Sequence, residues 1–118
     1  MNDIIDRIDH PACKILLDTF HMNIEEKSLG NAIYLCGHRL GHFHACENDR
    51  GAPGSGSIRW DEVARALTDT NYQGSVVIES FTNQVKSIAK AAAIWRSFEE
   101  SQDALATNGL AFLKQLFA

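Results

Sequence analysis

The 118-residue sequence lacks the features that mark membrane, secreted and nucleic-acid-binding proteins. No hydrophobic run is long enough to cross a bilayer, and the first residues, Met1-Asn-Asp-Ile-Ile-Asp6, have no signal-peptide pattern. The net charge is −4, and no stripe of lysine and arginine is present, which argues against nucleic acid as a partner. We therefore expect one globular domain in the cytoplasm, with no membrane partner.

Cysteine is also scarce. Cys13, Cys36 and Cys46 are odd in number, and their spacing fits no metal motif. A disulfide framework or a cysteine-based zinc site is therefore not predicted. We interpret Cys13 and Cys36 as reduced structural thiols, whereas Cys46 directly follows a predicted strand and is expected near the mouth of a site.

Three short apolar runs are present, and each ends in a residue that can bind a metal. They are Lys14-Ile-Leu-Leu-Asp18, Gly41-His-Phe-His44 and Ser75-Val-Val-Ile-Glu79. The gaps of 26 and 35 positions between the three end residues each have room for a helix and its loops. Ligands of parallel α/β folds lie at the carboxyl ends of the strands, so these side chains are expected to converge. Two carboxylates and an imidazole suit Mn²⁺, Co²⁺, Mg²⁺ or Zn²⁺.

Helical periodicity between and after these runs predicts the order β-α-β-α-β-α-α, and hence parallel strands with right-handed crossovers. Trp60 and Trp95 lie at helical spacing and are predicted core residues. The predicted segments are a helix within 1–10, a strand at 14–18, a loop at 19–27, a helix capped by Ser28, a strand at 40–45, an irregular loop at 46–58, a helix from Trp60, a strand at 75–79, a helix at 84–99 and a last helix from Ser101.

Three ordered motifs carry a family resemblance. They are Leu17-Asp-Thr-Phe-His-Met-Asn-Ile-Glu-Glu26, Gly41-His-Phe-His-Ala-Cys-Glu-Asn-Asp-Arg-Gly-Ala-Pro-Gly-Ser-Gly56 and Val77-Ile-Glu-Ser-Phe81. Together they resemble the D-tagatose/D-psicose (allulose) 3-epimerases, which are xylose-isomerase-like sugar isomerases and epimerases. The resemblance implies that residues 1–118 form a single partial TIM barrel. It corresponds to the last three βα units of the (β/α) barrel plus a carboxyl-terminal helix.

The resemblance also implies roles for individual residues. Asp18, His44 and Glu79 match metal ligands of the family, usually for Mn²⁺ or Co²⁺, and Glu79 also matches one of two catalytic acid/bases. His21 and Arg50 match residues that bind the oxygens of a ketose substrate. The other acid/base of the family is a Glu on an earlier strand, which has no counterpart in this sequence. The implied reaction is epimerisation at carbon 3 through an enediolate, with a free ketose favoured over a sugar phosphate.

Each of these residues also has a structural interpretation. Asp18 could cap a loop, His44 could be a core histidine, and Arg50 could form a loop salt bridge. His21 could support the site without touching the substrate. Glu47 and Asp49 are interpreted as solvated residues or as partners of Arg50, and Glu47 is also kept as a candidate for supporting the site from outside the substrate contacts.

Two other functions are considered for the whole chain. One is a non-catalytic fragment that forms oligomers and keeps a partial metal or sugar site. The other is a metal-dependent hydrolase, like the phosphodiester-cleaving endonucleases of the same barrel superfamily. That activity would need more ligands and a basic face. A small three-stranded parallel sheet also has open edges, so a homo-oligomer that pairs through them is expected.

Overall fold

The computed structural model describes residues 2–118, in which helices alternate with short parallel strands. Two cap side chains set helix starts, since Ser28 Oγ accepts from Asn31 N at 3.1 Å and Ser101 Oγ from Ala104 N at 3.0 Å. The elements are α1 (Asn2–Ile8), β1 (Ile15–Asp18), α2 (Thr19–Glu25), α3 (Leu29–Cys36), β2 (Leu40–Ala45), α4 (Trp60–Asp69), β3 (Val76–Ile78), α5 (Lys86–Ala91) and α6 (Gln102–Leu116).

The strands form one parallel sheet in the order β1-β2-β3, which confirms the predicted parallel α/β arrangement. Asp18 pairs in register with His44, and His44 pairs with Val77. Side chains alternate between the two faces of a strand, so these three point to the same face. Glu79 lies two residues beyond Val77, and its N–H donates to Ala45 O at 3.2 Å, which continues the ladder past the end of β3.

The core lies between the opposite face of the sheet and helices α3, α4 and α6. Phe43 and Ile33 are fully buried there, and Trp60 meets Phe112 edge to face at 5.6 Å between ring centroids. The face that carries the predicted ligands is more open, since Leu16 is 48% exposed and Val77 39% exposed. Among the described residues, helices therefore cover one face of the sheet more fully than the other. Within residues 2–118, no helix is both long and apolar enough to span a membrane.

Two helix predictions need correction. The predicted loop at 19–27 contains α2, because Asp18 caps that helix with its side chain. The predicted helix at 84–99 contains only α5, which ends before Ala93, a non-glycine residue with a φ of +53°. Left-handed backbone interrupts a right-handed helix, and the chain beyond it is irregular. Trp95 consequently lies outside the helix and is 92% exposed, so its assignment to the core is wrong.

Candidate metal and substrate site

The three predicted ligands come together at the carboxyl ends of the strands. Asp18 is the last residue of β1, His44 lies near the end of β2, and Glu79 directly follows β3. One donor atom from each lies within 4.8 Å of the others. His44 Nδ1 is 3.5 Å from Asp18 Oδ2 and 3.3 Å from Glu79 Oε2. The arrangement follows from the parallel register, which places equivalent strand ends side by side.

The Asp18 side chain has two structural tasks besides its place in this cluster. It is buried, and Oδ1 accepts hydrogen bonds from Phe20 N at 2.9 Å and from His21 N at 3.2 Å. These bonds satisfy two otherwise unpaired N–H groups at the start of α2. Asp18 therefore caps α2 and also lies among the predicted ligands. The cap brings His21 toward the site.

Arg50 reaches into the cluster from the long loop after β2. Its Nη1 donates to Asp18 Oδ2 at 2.9 Å and to Glu79 Oε2 at 2.7 Å, and Nη2 lies 3.0 Å from His21 Nε2. The guanidinium also stands over the Phe20 ring, 4.2 Å from its centroid. With its side chain only 7% exposed, Arg50 is a buried member of the site, not part of a salt bridge within its loop.

Burial and charge act in opposite directions on these groups. Burial disfavours the ionised form of Asp18, but hydrogen bonds with Glu79, Arg50 and the His21 N–H hold its pKa below the usual range. Burial likewise disfavours the charged form of Arg50, yet its bond to Asp18 and the neighbouring negative charges raise its pKa. The site thus keeps both an anionic carboxylate and a guanidinium cation.

Cys46 lies directly beneath this cluster, not at a solvent-exposed mouth. It is fully buried, with Sγ 3.3 Å from Arg50 Nη1. Burial, aided by the charge of Asp18, raises the pKa of the thiol to about 11. A neutral thiol is a poor nucleophile, so Cys46 is a structural residue, and its expected position near the mouth of the site is wrong.

A cavity of about 450 Å³ opens beside Arg50 and Glu79. It is lined by the start of α2, by Arg50, by residues after β3 and by α5 with the residue that follows it. The lining residues are Phe20, His21, Arg50, Glu79, Phe81, Ser87, Ile88, Ala91 and Ala92. His21, Arg50 and Glu79 therefore line the same cavity, whereas Asp18 and His44 are not among its lining residues.

Thr19 and Glu47 are not among the predicted site residues, but their side chains organise this region. Thr19 is fully buried, donates from Oγ1 to Cys46 O at 2.6 Å and accepts there from Cys46 N at 2.9 Å, which ties the end of β1 to the end of β2. Glu47 is also fully buried, and its side chain bonds to the loop and to Trp60, so the solvated interpretation is wrong. Asp49 is not a partner of Arg50 and instead accepts from Gly51 N at 3.0 Å.

The family model for xylose isomerase-like TIM barrels matches residues 1–116. A probable ketose 3-epimerase of Synechocystis sp. is 44% identical over 115 residues, which cover 98% of this chain and 40% of the relative. D-psicose 3-epimerase of Enterocloster bolteae is 43% identical over 120 residues, again with 98% and 40% coverage. The chain therefore spans about two fifths of the length of the curated relatives it matches, in their carboxyl-terminal part.

Solved structures give the same result. D-psicose 3-epimerase from Clostridium cellulolyticum H10, solved with D-tagatose, is 39% identical with a TM-score of 0.88. The alignment covers 98% of this chain and 42% of that structure. A structure of L-ribulose 3-epimerase is 33% identical with a TM-score of 0.90 and covers 98% of this chain. The open three-stranded sheet is thus part of a TIM barrel, which confirms the predicted fold class.

Proposed function

Because this chain belongs to the xylose isomerase-like TIM barrel family, we propose that it forms the carboxyl-terminal part of a metal-dependent ketose 3-epimerase site. The observation that carries the proposal is the convergence of Asp18, His44 and Glu79 within 4.8 Å, beside a cavity lined by His21 and Arg50. The ketose 3-epimerase names of the relatives support the same activity. Because the chain spans only part of those relatives, the activity belongs to the complete site.

The three side chains fit a divalent metal. Ligands about 2.1 Å from a tetrahedral ion lie about 3.4 Å apart, close to the 3.5 and 3.3 Å that separate His44 Nδ1 from the two carboxylate oxygens. Two carboxylate oxygens and one imidazole nitrogen suit Mn²⁺ or Co²⁺, and the same ligand types also bind Mg²⁺ or Zn²⁺. When bound, the ion supplies Lewis-acid polarisation of a substrate oxygen.

Glu79 is the proposed acid/base of this chain. Epimerisation at carbon 3 removes a proton next to a carbonyl and returns one on the opposite face of the carbon. Glu79 lines the cavity and its side chain is 36% exposed, so it can reach a bound sugar and exchange a proton. The opposite face needs a second carboxylate, which the family resemblance places on an earlier strand of the barrel.

Arg50 and His21 are proposed to orient the sugar oxygens. Arg50 and His21 both line the cavity, which places their side chains within reach of a bound sugar. Arg50 Nε is buried and has no hydrogen-bond partner among residues 2–118, so the guanidinium is not fully satisfied by the protein. The guanidinium charge would stabilise negative charge that develops on a substrate oxygen. Arg50 is the one arginine or lysine in the cavity lining and is already paired with two carboxylates, which favours a free ketose over a sugar phosphate.

Isothermal titration of Mn²⁺ into the chelator-stripped full chain tests the metal site. His44→Ala and Glu79→Gln should each weaken binding at least tenfold, because each removes one of three ligands. His42→Ala is the matched control, since His42 lies on the same strand face, 5.0 Å from the His44 ring, but outside the ligand cluster. Unchanged affinity in both ligand variants would refute the metal assignment.

An epimerisation assay with D-psicose or D-tagatose then separates the two functional candidates. Turnover that is lost in Glu79→Gln would support the epimerase site. Metal binding without turnover would instead support the non-catalytic fragment that keeps a partial site. The same assay should be repeated with any protein that co-purifies and supplies the missing carboxylate.

Self-association is proposed as well. Strands β1 and β3 form the two edges of the described sheet, and Leu16 and Val77 leave apolar surface exposed on one face. Pairing with a second copy through these edges would satisfy the backbone N–H and C=O groups that β1 and β3 leave unpaired there. Light scattering at micromolar concentration should give at least twice the mass of one chain, and a compact monomer would refute this proposal.

A further inference from the structure

Glu47 is a fully buried carboxylate with no cationic partner among the described residues. Its Oε1 accepts hydrogen bonds from Gly54 N at 2.9 Å and from Trp60 Nε1 at 2.6 Å, and Oε2 accepts from Ile58 N at 3.1 Å. Burying a charge is costly unless its oxygens are well satisfied. Here neutral donors from across the 46–58 loop and from α4 satisfy the charge, so the loop is folded around this one side chain.

The loop leaves little space around the Glu47 carboxylate. A Cβ atom added at Gly56 would lie 2.6 Å from Glu47 Oε2, closer than such atoms approach in proteins. A side chain at Gly56 would therefore have to displace the side chain of Asn48 or the Glu47 carboxylate. Gly56 thus lets the loop close tightly over Glu47.

The backbone of Glu47 connects this anchor to Arg50. Arg50 N donates to Glu47 O at 3.0 Å, and Glu47 N donates to Gly51 O at 3.2 Å, which closes a tight turn. Arg50 has a φ of +69°, an unfavourable conformation for a residue with a side chain, so the surrounding bonds must hold it. Phe81 N completes the turn by donating to Arg50 O at 2.9 Å.

We propose that Glu47 is a positioning residue that acts through Arg50. Its buried carboxylate fixes the 47–51 turn and thereby directs the Arg50 guanidinium toward Asp18, Glu79 and His21. The role of Arg50 toward a sugar rests on the proposed function, whereas the placement of Arg50 by Glu47 does not. Glu47 itself lies outside the cavity lining and touches none of the three proposed ligands.

Glu47→Gln is the most informative substitution because it keeps the shape and replaces one acceptor oxygen by an amide donor. Gly54 N and Trp60 Nε1 donate to one oxygen, and Ile58 N and Asn48 N donate to the other. Either orientation of the amide therefore sets its NH₂ against two of these four N–H donors, which leaves a buried donor unsatisfied. Asp49→Asn is the matched control. It makes the same chemical change in the same loop, at a side chain that is 30% exposed and bonded to Gly51 N.

Limited trypsin digestion of the full chain reports directly on Arg50, because trypsin cleaves after arginine and lysine. Arg50 is buried in the native loop, whereas Lys27 is exposed and far from it in the chain, so cleavage at Lys27 is the internal reference. We expect Glu47→Gln to raise cleavage after Arg50 at least tenfold relative to Lys27, and Asp49→Asn less than threefold. Unchanged protection of Arg50 in Glu47→Gln would overturn the proposal.

If Glu47→Gln lowers the melting temperature so far that all sites are cleaved, the same trypsin assay is carried out on Trp60→Phe and tests the proposal. This change removes one donor to Glu47 and keeps an aromatic ring in the core. It should raise cleavage after Arg50 relative to Lys27, compared with wild type, while the far-ultraviolet circular dichroism stays native. Native protection in this variant would also overturn the proposal.

A double-mutant cycle on Mn²⁺ affinity distinguishes positioning from general loop stability. Glu47→Gln should change the Mn²⁺ Kd at least threefold in the wild-type background, and less than 1.5-fold when Arg50→Gln is already present. Equal effects in both backgrounds would mean that Glu47 does not act through Arg50. If the wild-type chain binds no Mn²⁺, the proposed function fails, and the trypsin result alone decides the role of Glu47.

Discussion

Replacing Asp18 gives the most direct test of the site geometry, because one side chain both caps α2 and binds Arg50. Asp18→Ala removes the acceptor of Phe20 N and His21 N and the carboxylate that faces Arg50 Nη1 at 2.9 Å. Asp18→Asn keeps an oxygen that can cap the helix but removes the negative charge. The two variants therefore separate the cap from the ion pair.

The expected losses follow from these contacts. Removing one partner of a buried ion pair costs about 3–5 kcal/mol, and the lower end applies here because Arg50 keeps Glu79 as a partner. Loss of the cap adds about 1 kcal/mol. We therefore expect Asp18→Ala to lower the free energy of unfolding by about 4 kcal/mol. Asp18→Asn should lower it by about 2 kcal/mol, the value of a charge-assisted hydrogen bond.

Urea denaturation at neutral pH, with a chelator present so that no metal contributes, measures both values. With a slope of about 2 kcal/mol per molar urea, Asp18→Ala should lower the midpoint by about 2 M and Asp18→Asn by about 1 M. Asp9→Asn is the control, since Asp9 is exposed and asparagine tolerates its positive φ. A loss below about 1 kcal/mol for Asp18→Ala would refute the buried ion pair.

Two further predictions concern stability away from the site. Glu62 accepts from Ser28 Oγ and from Gly30 N at 2.9 Å, and these bonds hold the pKa of Glu62 below its usual range. Glu62→Gln should therefore cost about 1 kcal/mol at neutral pH. That difference from wild type should disappear as the pH falls through the native pKa, because a lowered pKa stabilises the fold only above it. A pH-independent difference in urea titrations would contradict this cause. Trp60 is 6% exposed and Trp95 is 92% exposed, so Trp60→Ala should cost about 3–5 kcal/mol and Trp95→Ala less than about 0.5 kcal/mol in the same assay. Similar losses of stability in the two variants would contradict the difference in burial between Trp60 and Trp95.

The candidate ligands could be predicted from the sequence because their placement depends on local order. Asp18, His44 and Glu79 each end an apolar run, and parallel strands bring such ends to one edge of a sheet. Their convergence could be predicted without the strand register, whereas the distances of 3.5 and 3.3 Å from His44 Nδ1 to the two carboxylate oxygens depend on that register. The helix that begins at Ser28 was predictable for the same reason, since a cap and a 3.6-residue period are properties of neighbouring residues.

The two incorrect helix predictions also have physical causes. The sequence does not predict helix α2 because seven residues give too short a period to recognise, and because its capping residue, Asp18, also ends strand β1. The helix at 84–99 was overextended because the apolar positions continue past Ala93, where the backbone turns left-handed. Spacing alone does not reveal where packing ends a helix.

The sequence by itself determined the class of fold, the order of the strands and the residues that end them, since these depend on periodicity and on chain order. Only the tertiary structure decided that Glu47 is buried without a cationic partner among residues 2–118 and that Arg50 reaches Asp18 and Glu79. Those bonds join residues 32 and 29 positions apart in the chain. Their geometry depends on the path of the 46–58 loop across the sheet, and on which donors surround a carboxylate once the loop has closed.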